Sequence, residues 1–249
     1  ITEKCTPIMI EVIVRSYMTG STSTSIWTHY KNGSRTIYGI DFPDGLEKNQ
    51  KLDRLIITPT TKGVVDKPIT PEEIVSEKYM TQEEWNYVSK KALELFQYGE
   101  MVSNRNGLIL VDTKYEFGKN SKGEILLIDE LHTCDSSRFW IKDTYDKLFS
   151  ESSEPQKLDK DSIRDYVKSV CDPYKDSIPN IPFEYIHRTS NTYCNLYQKL
   201  VGKSIDEEYS NKYSDFDYDT AFEQYIDNYY KNHHKNKVII LYGSEKDSK

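Results

Sequence analysis

Leu108-Ile109-Leu110-Val111-Asp112-Thr113-Lys114-Tyr115-Glu116 is followed by Phe117-Gly118-Lys119-Asn120-Ser121-Lys122-Gly123 and then Glu124-Ile125-Leu126-Leu127-Ile128-Asp129-Glu130. The two outer stretches read as strands and the middle one as their connection, so an antiparallel hairpin is expected. Side chains alternate along a strand, which sets Asp112, Lys114 and Glu116 on one face and Ile109, Val111, Thr113 and Tyr115 on the other. A hairpin centred in its loop brings Asp112 roughly opposite Asp129. Like charges facing across a sheet are unfavourable. One resolution is a cation between them, with Mg²⁺ suited to carboxylate oxygens and shared phosphates. The other is a solvated face of cross-strand lysine–acid pairs. The stretch that follows, Thr133-Cys134-Asp135-Ser136-Ser137-Arg138-Phe139-Trp140, offers hydroxyls and a guanidinium fork suited to an anion or a sugar phosphate.

Upstream, Ile8, Ile10, Val12 and Val14 alternate with Met9, Glu11, Ile13 and Arg15, the pattern of a strand with one apolar face, and Thr19-Gly20-Ser21 follows as a turn. Trp27 to Pro59 carries turn signals that predict short strands and loops. Thr70-Pro71-Glu72-Glu73 and Thr81-Gln82-Glu83-Glu84 each open a helix with an N-cap and a capping-box glutamate. The second helix carries Trp85, Val88, Ala92, Phe96 and Gly99 at helical spacing and should stop at Asn106-Gly107. Further helices are expected from about Asp159-Lys160 and over Phe183 to Leu200. From Ser204 to Asn236 the composition turns to Asp, Glu, Tyr and Asn, a helix-bearing connector, and 237–242 reads as a buried strand. The fold class is α+β, an antiparallel sheet flanked by helices.

The 249 residues carry 37% hydrophobic and 29% charged residues and a net charge of −7. That balance suits a globular protein and lacks the basic surface of a nucleic-acid binder. No apolar run reaches membrane-spanning length, and no signal peptide is visible. The four cysteines are scattered, without a CxxC pair, which argues for reduced thiols and a cytoplasmic protein. The five histidines lack the spacing of a metal cluster and read as structural or surface groups.

Several of these stretches, in order, resemble the SAICAR synthetase family. Glu11-Val12-Ile13-Val14-Arg15-Ser16-Tyr17-Met18-Thr19-Gly20-Ser21 is similar to its first signature, and Val111-Asp112-Thr113-Lys114-Tyr115-Glu116-Phe117-Gly118 to its second. Asp129-Glu130 with Asp135-Ser136-Ser137-Arg138-Phe139-Trp140, the run Thr58-Pro59-Thr60-Thr61-Lys62, and Asp159-Lys160 with Arg164 fit as well. The resemblance covers about residues 7–203.

It implies an ATP-dependent ligase of purine synthesis that joins L-aspartate to the carboxylate of the ribonucleotide CAIR through an acyl phosphate, using ATP and Mg²⁺. On the resemblance, Glu116 and Asp129 are metal-side carboxylates, Lys114 steadies the phosphoryl group and, with Asp129, contacts the nucleotide. Arg15 and Ser21 hold a substrate carboxylate or phosphate. Asp135 meets the ribose, and Ser137, Arg138 and Arg164 the ribotide phosphate. Asp66 is assigned to substrate in Val65-Asp66-Lys67-Pro68, where the family often has a His-Asp pair. The family's glycine-rich basic loop does not precede Ile1, so the expectation is a chain lacking most of the nucleotide-binding lobe. The alternative is a silent ribonucleotide-binding module that kept the fold. Residues 237–247 resemble the opening strand and Gly-Ser loop of the AIR carboxylase family, which leaves fusion to that enzyme or a chance match.

Overall fold

In a computed structural model of the chain, residues 3–20, 22, 25–63, 66–158, 160–173 and 175–205 are described. Residues up to Ser204 form one compact unit. Ser21, Asp159, the connector beyond residue 205 and the strand expected at 237–242 lie outside the described residues.

The centre is an antiparallel pair of long strands, β1 (Thr6–Tyr17) and β6 (Leu108–Lys119). Ile8, Ile10, Val12 and Val14 are buried, as the alternation requires. The outer edge of β1 is paired by β4 (Lys51–Ile57) and β5 (Thr60–Thr61), and that of β6 by β7 (Ile125–Ile128) and β8 (Ser137–Ile141), which completes a six-stranded sheet. Helices α2 (Pro71–Ser76) and α3 (Gln82–Arg105) begin with the capping boxes of Thr70/Glu73 and Thr81/Glu84. Trp85, Val88, Ala92 and Phe96 of α3 bury against Val12, Val14, Leu108, Tyr115 and Phe117 to form the main core. Gly107 (φ +70) follows the α3 cap at Asn106.

The segment 27–59 departs from the expectation of strands and loops alone. Ser25 caps α1 (Ile26–Lys31), and two two-residue strands, β2 (Thr36–Ile37) and β3 (Ile40–Asp41), close a small second core around Met18, Tyr30, Tyr38 and Phe42. Helix α4 (Lys142–Ser150) gives no cap signal in the sequence, because no side chain caps it. Helices α5 (Asp161–Val170) and α6 (Phe183–Val201) follow where the periodicity puts them. Among the described residues no helix is long and apolar enough to cross a membrane, and the four cysteines are free thiols.

The hairpin differs from its simple form in two ways. Its register pairs Glu116 with Ile128 and Lys119 with Ile125. Strand β7 then ends after four residues, and Asp129, at φ +66, turns the chain off the sheet. The vacated edge of β6 is taken by β8, so Asp112 pairs with Arg138 and does not face Asp129. The register with β8 also slips between Leu110 and Asp112, where the Ser16 hydroxyl donates to the Leu110 and Val111 carbonyls. The slip breaks the expected parity. Leu108 and Leu110 join the core under α3, whereas Ile109 and Val111 pack on the other side with Tyr17, Trp140 and Tyr145.

Candidate functional site

The sheet face away from α3 is divided. Near α4 it is filled by aromatic rings, with Tyr17 edge-on to Trp140 and Tyr145 stacked on Trp140. Further along, it opens into a cleft of about 330 Å³, a volume in the range of small-molecule sites. Two rows of charge cross its floor.

The first row runs over three neighbouring strands. Arg15 of β1, Asp112 of β6 and Arg138 of β8 are partners in register. Both guanidinium groups meet one oxygen, Asp112 Oδ2, at 2.9 Å from Arg15 Nη1 and 2.6 Å from Arg138 Nη1. Arg15 Nε also donates to Thr58 Oγ1 at 2.8 Å. All of these side chains are buried or nearly so. Burial lowers the pKa of Arg15, against the attraction of Asp112. The row sets two guanidinium groups, a geometry suited to carboxylate and phosphate oxygens, against one carboxylate.

The second row sets Glu11 of β1 directly opposite Glu116 of β6. Lys114 resolves the repulsion: its Nζ lies 3.1 Å from Glu11 Oε1 and 2.6 Å from Glu116 Oε1. Lys62 holds the other oxygen of Glu116. Burial pushes the Glu116 carboxyl up, but the Lys114 and Lys62 ammonium groups outweigh it and leave it below the usual carboxylate range. Burial pulls the Lys114 ammonium down, and its bonds to Glu116 and Glu11 raise it further than that. Asp129 Oδ2 approaches the same ammonium at 3.9 Å. Asp112 and Asp129 thus do not face each other as expected, and the acids gathered around the Lys114 ammonium are Glu11, Glu116 and Asp129.

A magnesium ion can be tested against this donor set. Among the described residues no three carboxylate, histidine or cysteine side chains form a metal-holding group. Mg²⁺ commonly takes only one or two carboxylates and completes its shell with phosphates and water. Glu116 and Asp129, both at the Lys114 ammonium, fit a metal shared with a substrate in that way and do not fit a closed all-protein site.

The rim is a single tight turn. Thr133 Oγ1 accepts from the Asp135 and Ser136 amides, and the Ser137 amide donates to the Thr133 carbonyl. The turn presents Asp135 and Ser136 before β8 begins, and the Ser137 hydroxyl meets Thr113 Oγ1 at 2.7 Å. Asp135 Oδ1 accepts from the Tyr193 hydroxyl of α6 at 2.7 Å and lies 3.5 Å from Lys160 Nζ. Tyr193, with Lys160 and Arg164, holds the Asp135 carboxyl below its ordinary value despite some burial. Behind the turn, His132 (φ +53) inserts its ring against Gly99 of α3 and meets Tyr115 Oη at 2.7 Å. A Cβ on Gly99 would lie 2.3 Å from the His132 ring, so α3 needs glycine there.

Arg15, Asp66, Lys114, Asp135, Ser137, Arg138 and Arg164 all line the one cleft. Glu116 sits beneath Lys114, and Asp129 stands beside it, half exposed. The sequence reading omitted Glu11, Tyr38 and Tyr193 as site groups. Glu11 was legible as a charge on the Arg15 face of β1. Tyr38 and Tyr193 arrive from distant elements, and nothing local marks them.

Fold and cleft together describe an α+β protein whose polar site is carried on the open face of an antiparallel sheet. Residues 1–181 match the SAICAR synthetase family, and the chain belongs to it. It is 50% identical over 200 residues to phosphoribosylaminoimidazole-succinocarboxamide synthase of Legionella pneumophila (strain Lens), across 80% of this chain and 64% of the relative. It is 49% identical to the chloroplastic enzyme of that name from Arabidopsis thaliana, across 80% of this chain and 49% of the relative. The SAICAR synthase of Saccharomyces cerevisiae, solved in complex with SAICAR, superposes with a TM-score of 0.65 at 30% identity, covering 81% of this chain and 62% of the yeast chain. The chain thus spans less than two thirds of the length of these relatives.

Proposed function

We propose that this chain carries the ribonucleotide side of the active site of a phosphoribosylaminoimidazole-succinocarboxamide synthase, joining L-aspartate to CAIR at the expense of ATP in purine biosynthesis. The observation that supports this best is the gathering of Arg15, Lys114, Ser137, Arg138 and Arg164 in one open cleft. CAIR is an anion at both ends, with a ring carboxylate and a ribose phosphate. The cleft offers cationic groups in two places, the arginine row with its serine rim and the Lys114 cluster.

A carboxylate is a poor electrophile. Transfer of the terminal phosphoryl group of ATP to a carboxylate oxygen of CAIR releases ADP and forms an acyl phosphate. The aspartate amine then attacks the carbonyl carbon, the carbon–oxygen bond to phosphate breaks, and the nitrogen loses a proton as the amide forms. Negative charge on the transferring group is stabilised by fixed cations. Lys114 would take that role: Glu11 and Glu116 hold its ammonium on the sheet face, and Lys62 pairs with the other oxygen of Glu116. Arg15, together with Ser21, would orient a substrate carboxylate or phosphate. Ser137, Arg138 and Arg164 would hold the ribotide phosphate, Asp135 a ribose hydroxyl, and Asp66 the incoming aspartate. Mg²⁺ held by Glu116 and Asp129 would neutralise phosphate charge.

We place the protein in the cytoplasm, although the Arabidopsis relative is described as chloroplastic. Residues 237–249, outside the described residues, are proposed on their sequence alone as the start of an AIR carboxylase-like domain. Supplied with a nucleotide-binding lobe of the family, together with CAIR, ATP, Mg²⁺ and aspartate, the protein should form SAICAR and ADP in equal amounts, and Lys114→Met should lower the rate by about 100-fold or more. Turnover unchanged in Lys114→Met would contradict the assignment. CAIR binding without turnover would leave a ribonucleotide-binding module.

A further inference from the structure

We infer that Asn49 is a positioning residue for the Thr19–Gly20 turn, and so for the substrate anion on the Arg15 side of the cleft; the inference rests on the function proposed above. Asn49 is 4% exposed and adopts a left-handed backbone (φ +66), a conformation that asparagine tolerates better than most side chains. Its polar groups reach two separate parts of the fold, the Met18–Thr19 stretch and α4. The Asn49 amide donates to the Met18 carbonyl at 2.7 Å, and the Met18 amide donates to the Gln50 carbonyl at 2.8 Å. The Thr19 hydroxyl donates to Asn49 Oδ1 at 2.7 Å. The Tyr145 hydroxyl of α4 donates to the Asn49 carbonyl at 2.8 Å. A surface loop needs none of these buried connections.

The turn is gripped from the other side as well. Gly20 has φ +119, and a Cβ there would lie 2.3 Å from Ser25 Cβ, the residue that caps α1. Thr19 itself is 5% exposed. Asn49 on one side and Ser25 on the other therefore hold Thr19 and Gly20, just beyond Arg15, a residue that lines the cleft. Small displacements of a group that orients substrate are costly to binding and rate. The side chain of Asn49 does not line the cleft, so it acts through Thr19.

Calorimetric titration of CAIR into the full chain tests this. Asn49→Gly keeps the left-handed backbone at no steric cost and removes only the side chain. Thr19→Val removes the hydroxyl at constant shape, and Thr19→Ser restores it. Each of the first two should weaken CAIR binding about tenfold. Their combination should be no weaker than either alone, and Thr19→Ser should bind like the parent. Parent-like affinity in both Asn49→Gly and Thr19→Val, or equal loss in Thr19→Ser and Thr19→Val, overturns the inference and leaves the proposed function standing. Absence of CAIR binding by the parent chain overturns the proposed function, and this inference with it.

Discussion

The two charged rows on the sheet face are neighbours built from opposite logic. In the arginine row one carboxylate serves two guanidinium groups, all of them buried or nearly so. In the lysine row two opposed carboxylates are separated by Lys114 and supported by Lys62, whose side chains remain 31% and 40% exposed. Loss of Asp112 would take from two buried or nearly buried guanidinium groups the carboxylate they share. The lysine row can exchange partners, because water reaches its ammonium groups. One is a fixed platform and the other a responsive centre. The contrast teaches that stability and chemistry can be separated by a few residues on the same strand.

The widest separation is expected at Asp112. Asp112→Asn removes the carboxylate charge that Arg15 and Arg138 share, and should cost about 3–5 kcal/mol in denaturant unfolding. A loss under about 1 kcal/mol would mean that the row is no platform.

His132 extends the test to the rim. Burial pushes its pKa down to about 4. The ordinary value is about 6.5, so as pH falls the unfolded chain takes up this proton first. The contribution of the neutral ring is complete above pH about 6.5 and is lost as pH falls toward 4, on the order of 3 kcal/mol. His132→Gln should flatten stability across that window, measured by urea unfolding at a series of pH values. An unaltered slope would move the titrating group elsewhere.

Lys114→Met should cost only about 1 kcal/mol of stability, since it sets Glu11 against Glu116, while removing turnover. Adding Glu11→Gln should recover most of the stability and none of the rate. Recovery of rate would reduce Lys114 to a spacer. The smallest effect belongs to Lys62. Lys62→Met should change stability at neutral pH by less than about 1 kcal/mol. The depressed Glu116 carboxyl contributes stability above its ordinary pKa and loses it as pH falls through the folded value. Removing Lys62 raises that folded value, so acid unfolding should begin at higher pH.

Much of this was legible in the residues. The alternation of Ile8 to Val14 gave the central strand, and Thr70/Glu73 and Thr81/Glu84 gave two helix starts, because both signals act over a few residues. The hairpin was legible as an element but not in its register. Asp129 leaves the sheet at a positive φ, and β8 replaces β7 along β6, an exchange fixed by distant packing. The same exchange turned Asp112 from an expected cation ligand into the hub of an arginine pair. Residues close to the motifs, such as Arg138 and Asp135, line the cleft. Tyr193, which reaches Asp135 from α6, depends on how a later helix packs and left no local mark.

The central claim is that the arginine row and its serine rim hold an anionic ribotide. Calorimetric titration of CAIR into the parent chain and into Arg138→Met tests it most directly. The expected result is saturable binding by the parent and a loss of about 100-fold in the variant, the scale of one charge-assisted contact. Equal affinity in the two proteins would contradict it.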